Sequence, residues 1–231
     1  MWLEIGAGHG EMTRELARRA ARLVAVELDS RLVDRLRAMA RELPNVEVVA
    51  GDVLALDLAR LFGQDRFKVY GNLPYYITSP ILHRLFQHAD RIEAIHVVLQ
   101  FEVAARLVAR PGRRQYGYLS AAAQFYTRPE TVMRIPRGAF RPPPKVTSAL
   151  VSMRLPGERA TLGLSDEEKF LEFVKRCFEQ KRKTLLNNLH ALAGRQRAEQ
   201  LLAAAGLRRD ARAEQLSLTQ FAALFRSYSV T

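Results

Sequence analysis

One cysteine, Cys177, is the only thiol in this 231-residue chain. A lone thiol closes no internal disulfide, and without a C-x-x-C pair there is no structural zinc pattern, so a reducing cytoplasm is the expected compartment. Histidine is also scarce. His83 and His88 stand five apart and do not share a helix face, so no metal site is expected. No apolar run approaches the roughly 20 residues of a membrane-spanning helix, and neither a signal peptide nor a membrane partner is expected. No Ser-His-Asp or Cys-His set stands out, and His9 reads as incidental to chemistry.

Acidic residues are outnumbered, with 24 Asp and Glu against 36 Lys and Arg, a net charge of +12. The excess is uneven. Residues 1–100 balance at 13 of each sign, residues 101–155 carry 10 basic against 2 acidic, and residues 156–231 carry 13 against 9. A neutral first block and a basic second block suit a small ligand at one end and a polyanion at another. Arginine supplies 30 of the 36 basic residues; a general arginine preference explains that choice but not the clustering. With 48% hydrophobic and 26% charged residues, the chain suits a globular protein of one large domain, or one with a small appendage.

Trp2 to Ile5 reads as a strand running into Gly6-Ala7-Gly8-His9-Gly10, and Glu11 to Ala21 as a helix with Met12, Leu16 and Ala20 at a spacing of four. Strand, glycine loop and helix form a nucleotide-cradling unit. Glu11 stands where a dinucleotide fingerprint has its third glycine, which argues against a pyrophosphate ligand. Glu4 either fixes the glycine turn, meets a cationic ligand group, or is a solvated strand end. A second strand, Leu23 to Leu28, carries Glu27 near its tip, where a carboxylate accepts from ribose hydroxyls. Arg31 to Leu43 reads as an amphipathic helix stopped by Pro44. Val46 to Ala50 is a third strand followed by Gly51-Asp52-Val53, where Asp52 can accept from an adenine amine and a neighbouring N–H can donate to the ring.

The fourth strand, Phe67 to Gly71, runs into Asn72-Leu73-Pro74-Tyr75. Proline lacks an N–H and keeps Leu73 out of helical backbone angles, so the chain leaves the strand extended with carbonyls to spare. An amide and an aromatic ring beside those carbonyls suit a planar base with an exocyclic amine, although an ordinary strand-to-helix turn has the same composition. Ile92 to Gln100 is a fifth, buried strand, followed by a helix over Phe101 to Ala109. Arg110 to Tyr118 forms a basic, aromatic loop in which Arg113 and Arg114 suit phosphate contact and the tyrosines stacking. Leu119 to Phe125 is helical, and Thr131 to Ile135 with Ser148 to Leu155 completes the sheet as a hairpin. Between them a stiff proline segment holds Phe140, Arg141 and Lys145. Past Pro156 the signals are helical: Ser165 caps a helix with Glu168 as capping-box partner, and helices follow over Arg182–Leu192, Arg195–Ala205 and Ser217–Tyr228. Lys181-Arg182-Lys183 begins one of them and suits RNA phosphates, or is a solvated face.

In this order, Glu4 to Gly10, Glu27, Gly51-Asp52-Val53 and Asn72 to Tyr75 resemble the S-adenosylmethionine-dependent RNA adenine methyltransferases. N-L-P-Y-Y-I-T-S-P-I-L (Asn72–Leu82), F-R-P-P-P-K-V-T-S (Phe140–Ser148) and F-E-Q-K-R-K-T-L-L-N-N-L (Phe178–Leu189) are similar to the small-subunit ribosomal RNA adenine dimethyltransferases. The resemblance implies an α/β, Rossmann-like class I methyltransferase sheet over residues 1–156, with a small all-helical C-terminal domain over 157–231. It also implies a segment before the first strand, with a Q-N-F-L-like motif that closes over the cofactor; this sequence begins at the strand.

The implied chemistry is methyl transfer from S-adenosylmethionine to the exocyclic amine of two adjacent adenines in a small-subunit rRNA hairpin loop. The cofactor would lie on Glu4, Gly6, Ala7, Gly8, Glu27, Leu28, Asp52, Val53 and Asn72. Catalysis would fall to Asn72, Leu73, Pro74, Tyr75 and Phe140, with the amine's N–H groups bonded to the Asn72 side-chain oxygen and the carbonyl near Leu73 or Pro74. RNA would meet Arg113, Arg114, Arg141, Lys145, Lys181, Arg182 and Lys183. The expected partner is small-subunit rRNA in an assembling 30S-type particle, with the chain a monomer. Three other readings stand beside this one: a nicotinamide-dependent oxidoreductase, which leaves Asp52 and Asn72 to Tyr75 unexplained; a non-catalytic RNA-binding assembly factor on the same scaffold; and a large-subunit rRNA adenine methylase.

Overall fold

The structure, a computed structural model, describes residues 1–229. Seven strands form one sheet: β1 (Trp2–Ile5), β2 (Leu23–Glu27), β3 (Val46–Ala50), β4 (Phe67–Asn72), β5 (Ile92–Gln100), β6 (Arg128–Ile135) and β7 (Ser148–Arg154). Among the described residues eleven α-helices accompany them: α1 (Glu11–Ala17), α2 (Ser30–Ala40), α3 (Leu58–Phe62), α4 (Thr78–Phe86), α5 (Phe101–Leu107), α6 (Tyr118–Tyr126), α7 (Arg159–Leu162), α8 (Glu167–Cys177), α9 (Leu185–Ala193), α10 (Arg195–Ala204) and α11 (Leu218–Ser229). None among the described residues is long and apolar enough to cross a membrane.

The strand order is β3-β2-β1-β4-β5-β7-β6. The first five strands run parallel and β7 runs against β5, with Gln100 opposite Ser148. Buried parallel strands are apolar on both faces, which is why Leu-Val-Ala-Val of β2 carries no alternation. The chain steps outward from β1 through β2 to β3, then returns to the other side of β1 as β4. That reversal opens a crevice at the carboxyl ends of β1 and β4, the switch point where open α/β sheets bind ligands. β7 begins at the rim where β5 ends, so the segment before it is delivered there too.

The chain divides into two compact units, Met1–Ala104 with Pro129–Leu155, and Ala105–Arg128 with Pro156–Thr231. Residues 105–128, expected with the sheet, group with the helices because Tyr116, Ala121 and Phe125 belong to one apolar cluster with Phe170, Phe173, Val174, Leu189, Leu201 and Phe221. The reach of a helix in sequence says nothing about which core its apolar face enters.

Several local expectations shift. α1 stops at Ala17 and buries Thr13 and Ala17 while Met12 is exposed, so its inward face is not the Met12-Leu16-Ala20 row. α2 ends at Ala40, short of Pro44. The cap of α8 is Asp166, one residue past Ser165, because its carboxylate both accepts the Lys169 N–H at 2.9 Å and pairs with the Lys169 ammonium at 2.9 Å. Thr184 caps α9, which leaves Lys181 to Lys183 in the preceding turn rather than in a helix.

Candidate active site

The glycine loop takes its form from what lies under it. Gly6, Gly8 and Gly10 all have positive φ, at 69°, 58° and 86°. At Gly10 the positive φ disfavours a side chain, and a Cβ there would also press on the Met39 sulfur of α2 at 2.8 Å, which would have to move aside. Gly6 and Ala7 donate to the Val26 carbonyl at 2.9 and 3.2 Å, which folds the loop back over the tip of β2.

Glu27 ends β2 and holds the loop from the other side. Its Oε2 accepts the Gly8 N–H at 2.9 Å, and its Oε1 accepts the Leu28 and Asp29 N–H groups at 2.8 and 3.0 Å. Each carboxylate oxygen has two lone pairs, so acceptor capacity remains for a ribose hydroxyl beside these backbone bonds. Leu28 follows at 65% exposure, an apolar side chain left uncovered on the rim.

Glu4 is not a solvated strand end. It is 1% exposed, and its Oε2 has no hydrogen-bond partner among the described residues. The glycine loop is held instead by Glu27, which accepts the Gly8 N–H. Burial raises the Glu4 carboxyl to about 7; the nearby Thr13 hydroxyl opposes the rise, and the Glu11 and Glu27 carboxylates add to it. An acid in this state is receptive to a cation.

At the tip of β3, Gly51 donates to the Glu27 carbonyl at 2.9 Å, which sets Asp52 next along the rim. Asp52 Oδ1 accepts the Leu54 N–H at 2.9 Å in a local turn, and the residue is exposed; Val53 beside it is buried.

Asn72 closes β4 and is exposed, whereas Leu73 is buried and donates its N–H to the Val98 carbonyl at 3.0 Å. The turn adjoins the glycine loop: a Cβ built on Gly6 would lie 3.6 Å from the Asn72 carbonyl oxygen. Pro74 cannot serve as a free acceptor as the sequence suggested. Its carbonyl already takes the Ile77 N–H at 3.2 Å and the Thr78 hydroxyl at 3.1 Å, which uses both lone pairs. The Tyr75 hydroxyl lies 2.7 Å from Ser148 Oγ at the start of β7. Asn72, Leu73, Pro74, Tyr75, Phe140, Pro142 and Pro144 line one pocket of about 250 Å³. The two aromatic rings named in sequence, 65 residues apart, therefore border one space. Arg141 and Lys145 are exposed in the same proline segment.

Thr78 and Ser148 had no assigned part in the sequence. Both stood inside motifs quoted for resemblance, but nothing in a linear pattern shows which hydroxyl meets which partner.

The remaining basic residues lie in the helical unit. Arg113 and Arg114 are exposed, while of the two tyrosines in their loop Tyr118 is half-buried and Tyr116 is not accessible. Tyr116 is fully buried, with its ring edge-on to Phe178 at 5.9 Å, so it offers no stacking face to RNA. Gly112 donates to the Glu214 carbonyl at 2.7 Å, and Lys181 donates to the Arg114 carbonyl at 2.9 Å while facing Glu214 at 3.8 Å. Lys181 thus braces the loop, and Arg182 and Lys183 remain exposed beside it.

Comparison with known proteins gives a consistent picture. The ribosomal RNA adenine dimethylase family model matches residues 2–229. The Ribosomal RNA small subunit methyltransferase A of Koribacter versatilis is 41% identical, over 96% of this chain and 82% of that protein. The protein of the same name from Geobacter metallireducens is 44% identical, over 97% of this chain and 84% of its own length. Among solved structures, the 23S rRNA methyltransferase ErmE matches with a TM-score of 0.73 at 30% identity, covering 98% of this chain and 89% of that one. A dimethyladenosine transferase from Plasmodium falciparum shares the fold with a TM-score of 0.83 at 24% identity, covering 99% and 90%.

Proposed function

The chain belongs to the ribosomal RNA adenine dimethylase family, and from that premise we infer that it is an S-adenosylmethionine-dependent rRNA adenine dimethyltransferase acting on the small ribosomal subunit. The observation that carries this reading is the adjacency of Gly6 and Asn72, which sets a glycine cradle beside an amide-bearing turn at the sheet's switch point. The higher identity to small-subunit enzymes, 41–44%, than to ErmE, 30%, favours the small subunit over the large. Neither a nicotinamide-dependent oxidoreductase nor a dinucleotide site accounts for the family membership.

The residues present fit the cofactor. A buried acid with an unpartnered oxygen, Glu4, suits a cationic group; Glu27 suits ribose; Leu28, Asp52 and Val53 suit an adenine ring, with Gly6, Ala7 and Gly8 giving close backbone approach. When bound, S-adenosylmethionine supplies a methyl group on a sulfonium, a good leaving group.

What remains for the protein is positioning. The exocyclic amine of adenine is a weak nucleophile because its lone pair is delocalised into the ring. Asn72 Oδ1 and the Leu73 carbonyl accept its two N–H bonds, favour a pyramidal nitrogen and direct its lone pair; Pro74 shapes this turn without accepting, since its own carbonyl is occupied. No strong base is required, because the methylated amine sheds its proton readily. Tyr75 and Phe140 stack on the two faces of a base taken from an unpaired loop, where extrusion costs little. Arg141 and Lys145 meet phosphates near this pocket, and Arg113, Arg114, Arg182 and Lys183 do so on the helical unit, with Lys181 bracing them.

The finer reading is that two adjacent adenines of one hairpin loop are dimethylated in an assembling 30S-type particle, by a monomer working in the cytoplasm. The test is labelled methyl transfer onto unmethylated small subunits, with the modified bases mapped. Dimethyladenosine at two neighbouring positions is expected, and Asn72→Ala should abolish it. Retained turnover in that variant would remove Asn72 from the site; label in large-subunit rRNA alone would reassign the substrate.

A further inference from the structure

The active-site pocket has two walls that come from distant parts of the chain, one from the turn after β4 and the other from the proline segment before β7. Ser148 is where they meet. It is the first residue of β7, sits opposite Gln100 in the antiparallel ladder, and is fully buried. The Phe140-bearing segment therefore re-enters the sheet at this residue. Its side-chain oxygen lies 2.7 Å from the hydroxyl of Tyr75, the aromatic residue of the opposite wall. A buried serine hydroxyl needs a partner, and Tyr75 is the one present. The tyrosine hydroxyl oxygen lies on the Cβ–Cγ axis, so holding it as well as the Cβ end fixes the direction of that axis and with it the place of the ring in the pocket wall.

We propose that Ser148 is a positioning residue for methyl transfer: through the Tyr75 hydroxyl it sets the place of one stacking ring and its spacing from Phe140, the slot that receives the target adenine. This deepens the methyltransferase reading and rests on it. Ser148 touches neither base nor cofactor in this account. It acts on the rate by holding Tyr75, and misplacement of about 1 Å at a reacting centre costs on the order of a hundredfold in rate. Because the interaction belongs to a pair, removing either hydroxyl removes it entirely. Ser148→Ala and Tyr75→Phe should each lower kcat by about ten- to a hundredfold, and the double variant should be no worse than the poorer single one.

The experiment compares the parent chain, both single variants and the double variant, in single-turnover methyl transfer and in cofactor binding by calorimetry. A third readout is the fluorescence of an RNA hairpin with 2-aminopurine at the target position, which reports stacking without any transfer. Expected results are a fall in kcat with unchanged cofactor affinity, weaker stacking-dependent quenching, and non-additive losses. Tyr75→Phe breaks the same hydrogen bond from the less buried side and keeps the test open should Ser148→Ala fold poorly. Losses that multiply in the double variant, or full kcat in Tyr75→Phe, would overturn the positioning role while leaving the methyltransferase assignment intact. A parent chain that transfers no methyl group to any rRNA overturns both.

Discussion

Replacing Glu4 by Gln preserves the shape of a buried side chain and removes its ability to ionise. In the folded protein the Glu4 carboxyl is raised from an ordinary 4.5 to about 7, chiefly by burial, with Thr13 opposing and Glu11 and Glu27 adding to the rise. An acid with a raised folded value binds its proton more tightly when folded than when unfolded. Its contribution to stability is therefore complete below about pH 4.5 and is lost progressively as pH climbs to about 7. A displacement of about 2.5 pKa steps, at 1.36 kcal/mol each, puts that loss at about 3 kcal/mol. The neutral amide of Gln has nothing to lose over this range. Whatever constant cost the new NH2 group brings, the stability of Glu4→Gln relative to the parent should rise by about 3 kcal/mol between pH 4.5 and 7.5. Titrating groups remote from Glu4 are common to both proteins and cancel in the difference, and the coupling to Glu11 and Glu27 is a smaller contribution than burial. Urea unfolding at four pH values, followed by the fluorescence of Trp2, reads this directly. Two stability curves that run parallel across the interval would show that Glu4 is charged and solvated after all, and the assignment of a cation-receptive acid beneath the glycine loop would go with it.

Glu27→Ala removes three backbone acceptor contacts and the ribose acceptor together, so cofactor affinity should fall by about 2 kcal/mol, roughly thirtyfold; an unchanged calorimetric affinity contradicts its place in the site. Replacing Arg113 and Arg114 with Ala should lower the slope of log affinity against log salt for RNA by about 1.5, two phosphate contacts' worth, and an identical slope reassigns both to plain surface. Gly157→Ala should destabilise the chain by about 3 kcal/mol or more, because a Cβ there would fall on the Thr127 nitrogen and the Gln124 and Phe125 carbonyls at the end of α6. A melting temperature within a degree of the parent's would show that this backbone contact yields easily.

The rim of the sheet was readable in the chain because each part of it is local. A β-rich run followed by glycines, by an acid or by Asn-Leu-Pro-Tyr announces a strand tip whatever surrounds it, and β3 and β5 begin and end where their apolar runs do. Parallel strands put all those tips on one edge, so Gly6, Glu27, Asp52 and Asn72 were brought together by topology alone.

Contacts between residues distant in sequence were decided elsewhere. The sequence left three roles open for Glu4, and its burial follows from β2 and β4 on either side of β1. Tyr116 had the composition of an RNA-stacking loop residue, yet an apolar cluster in the helical unit buries its ring, even though its hydroxyl finds no partner there among the described residues. Pro74 lost its acceptor role to the Thr78 hydroxyl, and Ser148 gained a partner 73 residues away. Strand ends and turns depend on covalent geometry and neighbours in the chain, which the order of amino acids specifies on its own. Which hydroxyl satisfies which, and which carboxyl is kept from water, depends on distances that exist only once the sheet has closed on its helices.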